Sequence, residues 1–78
     1  MAPESVVARV FGLPRASVSD ATSNTTVIAW DSLNHVTLVL ELEAAYGVSF
    51  SADETLIMTD VGAIKRVLRT HGVVWDGA

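Results

Sequence analysis

Along the 78 residues, apolar positions recur at helical spacing in three stretches, and no strand alternation competes with them. Val6, Val7, Val10 and Phe11 make one face of a first helix, expected from residue 3 to about 12. Pro3 and Glu4 suit its first turn, the one by its fixed φ and the other by its charge at the positive end of the dipole. Gly12 followed by Pro14 stops it. Leu38, Val39, Leu42 and Tyr46 lie along one arc of a second helix that starts at Asp31 or Ser32 and is closed by Gly47. Asp and Ser are both good N-caps, because their side-chain oxygens accept an orphan backbone N–H. Ser51, with Glu54 three residues on as capping-box partner, opens a short helix carrying Leu56, Ile57 and Met58. Val61, Ile64, Val67 and Leu68 mark a final helix from Thr59 or Asp60, with His71 in its last turn and Gly72 at its end.

Two stretches fall outside these periods. Residues 13–31 are rich in Ser, Thr, Asn and Asp, which favour turns and caps. A structureless connection of that length is unusual in so small a domain, so it is a functional loop or one tied down by anchors. Leu13, Val18, Val27, Ile28 and Trp30 are the candidate anchors. Residues 73–78 read as a fraying tail, with Trp75 able to pack back. The expected architecture is an all-α, small four-helix bundle in a single domain over residues 1–78, with a long loop between helices 1 and 2 and a short third helix.

The second helix is more apolar than one core face requires. Leu33, Val36 and Leu40 lie on a different arc from the core residues, and this second stripe begins beside Ser32. It reads equally as a wider core contact or as a track or docking strip for something attached at Ser32.

Half of the residues are hydrophobic, enough for a core without staples, although a fold this small buries only about 60% of its unfolded surface. There is no cysteine. Disulfides, Cys-based metal sites and a protein thiolate are therefore excluded, and thioester chemistry would need sulfur from a prosthetic group. The net charge of −4 argues against a nucleic-acid binder; Lys65, Arg66 and Arg69 read as a solvated helix face. No apolar run approaches the roughly 18 residues that span a bilayer. The first residues do not read as a signal peptide, so a cytoplasmic protein without membrane contact is expected. Asp31, Ser32 and His35 fall within one helical turn, which raises a hydrolase relay. Such triads gather residues from separate elements, and no Gly-x-Ser-x-Gly elbow is present. His35 reads as a surface residue and His71 as complementing a helix C-terminus. Two distant histidines with scattered carboxylates do not make a metal site.

Trp30-Asp31-Ser32-Leu33, at a helix start after a long loop, resembles the phosphopantetheine attachment motif of acyl carrier proteins. Phe11-Gly12-Leu13 is similar to the Leu-Gly-Val end of that family's first helix, and Val18-Ser19-Asp20 to its loop anchor. Leu38 to Glu43 and on through Tyr46-Gly47-Val48 resembles the run ending in Phe-Gly-Ile/Val, and Thr59-Asp60-Val61 through Leu68 the last helix. The segments follow in order over about residues 4–72. The resemblance implies an acyl-carrier-like bundle that is not itself an enzyme, with pantetheine 4'-phosphate attached covalently to Ser32 by a phosphopantetheinyl transferase using coenzyme A. The arm would hold acyl or aminoacyl groups as thioesters for loading and transferring enzymes, with the carrier a monomer. Asp31 would help position the transferase, and Leu33 would contact partner enzymes, with Val36 and Leu40 continuing the recognition strip.

Fatty-acid-synthesis members carry a heavily acidic second helix. Here that helix has Asn34, His35, Thr37, Ala44 and Ala45, with only Glu41 and Glu43 acidic after Asp31. Weaker electrostatic steering follows, and with it specialised partners: a polyketide-like, polysaccharide-modifying or aminoacyl-transfer pathway. Two rival readings stand beside this one. A peptidyl or D-alanyl-type carrier shares the arm, although Ala29-Trp30-Asp31 departs from the Gly-Gly-x-Ser of peptidyl carriers. An unmodified helical adaptor would bind partners through the Leu33, Val36, Leu40 stripe.

Overall fold

Pro3 opens the first helix, α1 (Pro3–Phe11), and Gly12 ends it in the left-handed region at φ 66°, where its N–H donates to the Ala8 carbonyl. The computed structural model describes residues 1–76. It contains three further α-helices, α2 (Ser32–Tyr46), α3 (Ala52–Ile57) and α4 (Val61–Thr70), and a single 3₁₀ turn at Arg15–Ser17. The chain is thus all-α, with no strand among the described residues beyond one isolated bridge between Ser23 and Asp60. Gly47 caps α2 in the same left-handed geometry as Gly12. The capping box of α3 is formed in full, Ser51 accepting from the Glu54 N–H and Glu54 from the Ser51 N–H.

Helix α1 packs on both α2 and α4 and is the layer they share. Val6, Val7 and Phe11 of α1 meet Leu38 and Leu42 of α2, Val61, Ile64 and Leu68 of α4, and Met58 in one buried cluster. Each such side chain contributes about 1.5–3 kcal/mol of burial.

The long α1–α2 connection is ordered by its backbone as much as by apolar anchors. The Thr22 carbonyl accepts from the Val61 N–H (3.0 Å) and the Asp20 carbonyl from the Gly62 N–H (3.0 Å). Asp60 Oδ1 accepts from the Ala63 N–H at 2.7 Å. These bonds satisfy three of the orphan donors at the start of α4. Thr22 is itself buried, and its hydroxyl accepts from the Ser19 N–H at 2.9 Å. The approach is close: a Cβ on Gly62 would lie 3.3 Å from Asp60 Oδ1 and 3.5 Å from the Asp20 carbonyl.

Among the expected apolar anchors, Val18 and Trp30 are buried and Leu13 and Val27 are partly buried against the core. Ile28 is not an anchor: it is 100% exposed. It sits at the corner of a tight turn closed by the Trp30 N–H on the Val27 carbonyl (3.0 Å), and that corner points outward. In the tail, Trp75 packs back as its sequence position allowed, so the expected fraying does not begin at residue 73. Trp75 is buried, with the Arg69 guanidinium 5.0 Å from its ring centre, so the chain is held through that residue. Residues 77 and 78 of the expected fraying tail lie outside the described residues.

One ion cluster ties α1, the loop and α4 together. Lys65 Nζ lies 2.6 Å from Glu4 Oε2 and 2.6 Å from Asp20 Oδ1. Burial pushes the Glu4 carboxyl up, but the Lys65 hydrogen bond, its own backbone N–H and the charges of Lys65 and Arg15 together outweigh this and hold it below the usual range. Hydrogen bonds to Asp20 and Glu4 hold Lys65 above its ordinary value. The stabilisation from Glu4 is therefore fully present above the unfolded carboxylate pKa of about 4.3 and lost as pH falls through the lower folded value. That from Lys65 is present below about 10.4 and lost as pH rises through the higher folded value. Glu4→Gln is expected to lower stability at pH 7 and to flatten the decline below about pH 4, as read from urea midpoints across the acid range.

Candidate functional site: the start of α2 and its groove

The start of α2 is fixed from three sides. Trp30 is buried and stacks on Phe11 with ring centroids 5.0 Å apart. Its indole N–H donates to Nδ1 of His35 at 3.0 Å. The Asn34 amide donates to the Ala29 carbonyl at 2.7 Å, and the Asn34 N–H to Asp31 Oδ1 at 2.9 Å. Asp31 is therefore the N-cap, and Ser32 is the first helical residue. The Ser32 side chain is exposed and makes no hydrogen bond among the described residues. The backbone N–H groups of Ser32 and Leu33 likewise have no protein acceptor there.

Beside Ser32 lies an open groove of about 470 Å³. Asp31, Ser32 and His35 form one side, Leu56 and Thr59 the other, with Asn24 of the loop and Trp30 completing it. Asn24, Leu56 and Thr59 were not read as site residues from the sequence, where Leu56 counted as an apolar position of the short helix and Thr59 as a start of the last one. A second hollow, formed by the loop over Leu13, Ser19, Thr22 and Val27, is lined by no titratable side chain.

The two histidines depart from expectation. His35 is half-buried, and its Nε2 lies 2.8 Å from the Thr55 carbonyl. With Nδ1 accepting from Trp30, the ring is the neutral tautomer whose Nε2–H donates to Thr55. Both nitrogens are committed, so the ring has no free lone pair for the Ser32 proton, and the hydrolase relay is not assembled. His71 caps α4, but its ring reaches across to α3, with Nε2 2.9 Å from Glu54 Oε2.

The second apolar stripe is outside the core: Leu33, Val36 and Leu40 are 76%, 54% and 59% exposed. The two acids of α2 are both engaged within the molecule. Glu41 pairs with Arg9 at 3.1 Å, and Glu43 accepts from the Phe50 N–H at 2.8 Å. Among the described residues no three His, Asp or Glu groups converge to hold a metal ion, and no helix is long and apolar enough to cross a membrane. No protein-family model matches this chain, and no match is found among curated proteins.

The division of roles at the start of α2 is open to test. Asp31→Ala should cost about 1 kcal/mol of stability, a fall in Tm of about 4–8 °C for a domain of this size. Ser32→Ala should stay within about 0.5 kcal/mol of the parent. Thermal melts of the two variants check both.

Proposed function

We propose that this chain is an acyl carrier protein with the corresponding four-helix bundle, and that Ser32 is its attachment site for 4'-phosphopantetheine. The observation that carries the reading is the Ser32 hydroxyl: exposed, free of hydrogen bonds and released from capping by Asp31. The surroundings fit the group. A phosphodiester on Ser32 would lie at the positive end of α2, near the unpaired N–H groups of Ser32 and Leu33. The groove beside it offers Leu56 as an apolar wall and Asn24 and Thr59 as polar ones. When attached, the arm supplies a terminal thiol that holds an acyl or aminoacyl group as a thioester, which a chain without cysteine cannot provide itself.

Within a transferase the Ser32 hydroxyl displaces adenosine 3',5'-bisphosphate from the pyrophosphate of coenzyme A, losing its proton to form the phosphodiester, and Asp31 helps to position that enzyme while holding the helix start in register. Leu33, Val36 and Leu40 form the strip that loading and transferring enzymes contact. Because Glu41 and Glu43 are occupied internally, this strip works by apolar contact more than by charge. That favours a specialised biosynthetic pathway, and a cytoplasmic monomer that visits several enzymes in turn. A peptidyl or D-alanyl-type carrier would use the same serine. The same exposed strip would also serve an unmodified adaptor, the second reading.

Intact mass after incubation with coenzyme A and a broad-specificity phosphopantetheinyl transferase separates these. The carrier gains one phosphopantetheine, and Ser32→Ala gains none; no gain with any transferase favours the adaptor. For the strip, Val36→Asp should block loading by the partner enzyme while leaving stability within about 0.5 kcal/mol. Wild-type loading should vary little between low and high salt. A large fall in Tm for Val36→Asp, or loading that collapses in salt, would count against apolar docking.

A further inference from the structure

Among the described residues, His35 is the only side chain of α2 hydrogen-bonded both to the loop before Ser32 and to the helix across the groove. Nδ1 accepts the Trp30 indole N–H at 3.0 Å, and Nε2 donates to the Thr55 carbonyl at 2.8 Å. Trp30 stands two residues before Ser32, and Thr55 is next to Leu56, which lines the groove. His35 lines the same groove, one turn after Ser32.

The two bonds constrain different elements. Trp30 is buried and stacked on Phe11 at 5.0 Å, so it is fixed to the core independently of α2. A bond from this fixed donor to a ring in the first turn of α2 sets the rotation of that turn, and with it the direction of the Ser32 side chain. Asn34 adds a second tie from the same turn, donating to the Ala29 carbonyl at 2.7 Å. The bond to Thr55 acts on the opposite wall. None of the six residues of α3 is buried, so a polar tie to α2 contributes much of what holds this helix in place. Both ring nitrogens of His35 are engaged, which leaves no lone pair for the Ser32 proton. The part this ring can take in arm attachment is geometric.

We propose that His35 is the positioning residue of the attachment site, its Nδ1 bond aiming the Ser32 hydroxyl and its Nε2 bond holding the α3 wall of the groove that receives the arm. This inference rests on the carrier reading. In the transfer, the Ser32 oxygen bonds the phosphorus that carries pantetheine. The bond from that phosphorus to the bridging oxygen of the pyrophosphate breaks, adenosine 3',5'-bisphosphate leaves with the bridging oxygen, and the hydroxyl proton passes to the transferase. A nucleophile held at the wrong angle costs turnover more than docking, since Leu33, Val36 and Leu40 are exposed for docking in their own right.

Steady-state transfer from coenzyme A by a broad-specificity phosphopantetheinyl transferase, with the carrier concentration varied, tests it. His35→Gln keeps a donor for Thr55 at the Nε2 position but has no acceptor at the Nδ1 position. His35→Asn keeps the acceptor for Trp30 and loses the reach to Thr55. His35→Gln should lower kcat about 10–100-fold with KM for the carrier nearly unchanged, and His35→Asn should recover most of that loss. Trp30→Phe removes the donor without leaving a buried N–H unpaired, and should also lower kcat. Combined with His35→Gln, it should cost no more than the larger single loss, because both remove the same bond. In the chain without its arm, the amide protons of Asn34 and His35, both bonded to Asp31, should exchange faster in His35→Gln and Trp30→Phe but not in His35→Asn. On arm attachment, the amide signals of Thr55 and Leu56 should move in the parent and in His35→Gln, and stay in place in His35→Asn. A raised KM at unchanged kcat, equal kcat in His35→Gln and His35→Asn, or additive losses in the double variant would each overturn the positioning role. A parent that takes no arm overturns the carrier reading instead, and the exchange rates still decide whether the Trp30–His35 bond holds the start of α2.

Discussion

A buried indole cannot leave its N–H unpaired without a cost of about 1–3 kcal/mol. Trp30 is buried between the end of the long loop and the core, so its N–H needs an acceptor within reach. That acceptor is His35, one turn into α2. The pairing fixes where the loop ends and how α2 begins. It also makes Nδ1 the accepting ring nitrogen and aims Nε2 at the Thr55 carbonyl of α3. The stack on Phe11 carries the same anchor back to the end of α1. Ser32 stands two residues after Trp30, and its position at the rim of the groove follows from this one constraint.

Two adjacent polar residues then separate support from reactivity. Asp31 caps the helix, leaving the Ser32 hydroxyl exposed and unengaged. The same separation runs along α2. One face, through Leu38, Val39 and Leu42, belongs to the core, while the face through Leu33, Val36 and Leu40 remains uncovered. The carboxylates of Glu41 and Glu43 serve contacts within the molecule. What the helix presents outward is shape and apolar area more than charge.

The helices were legible in the sequence because their signals are local: Pro3, Gly12, the Ser51–Glu54 box and Gly47 act on neighbours within one turn. The exposure of the second stripe on α2 was not legible, because spacing alone does not say which arc another helix covers. Thr22 was missed as a loop anchor since it holds the loop through its hydroxyl and carbonyl, which leave no hydrophobic period. Ile28 misled for the converse reason: an apolar residue at a turn corner faces outward whatever its hydrophobicity. The histidines were misread because an imidazole takes its role from partners 5 to 20 residues away, Trp30 and Thr55 for His35, and Glu54 for His71. At the candidate site, Ser32 and Asp31 could be named from the chain, but the groove wall supplied by Leu56 and Thr59 depends on how α3 returns to α2.

The carbonyls of Asp20 and Thr22 that complete the first turn of α4 lie about forty residues earlier in the chain. Closing a loop of that size costs entropy that grows with the logarithm of its length. Helices of this kind otherwise form from local contacts and fold quickly. Here the start of the last helix is finished only once the first connection has come to rest against it. The loop is therefore a structural part of the last helix rather than a passive link, because its carbonyls complete a turn that begins about forty residues later.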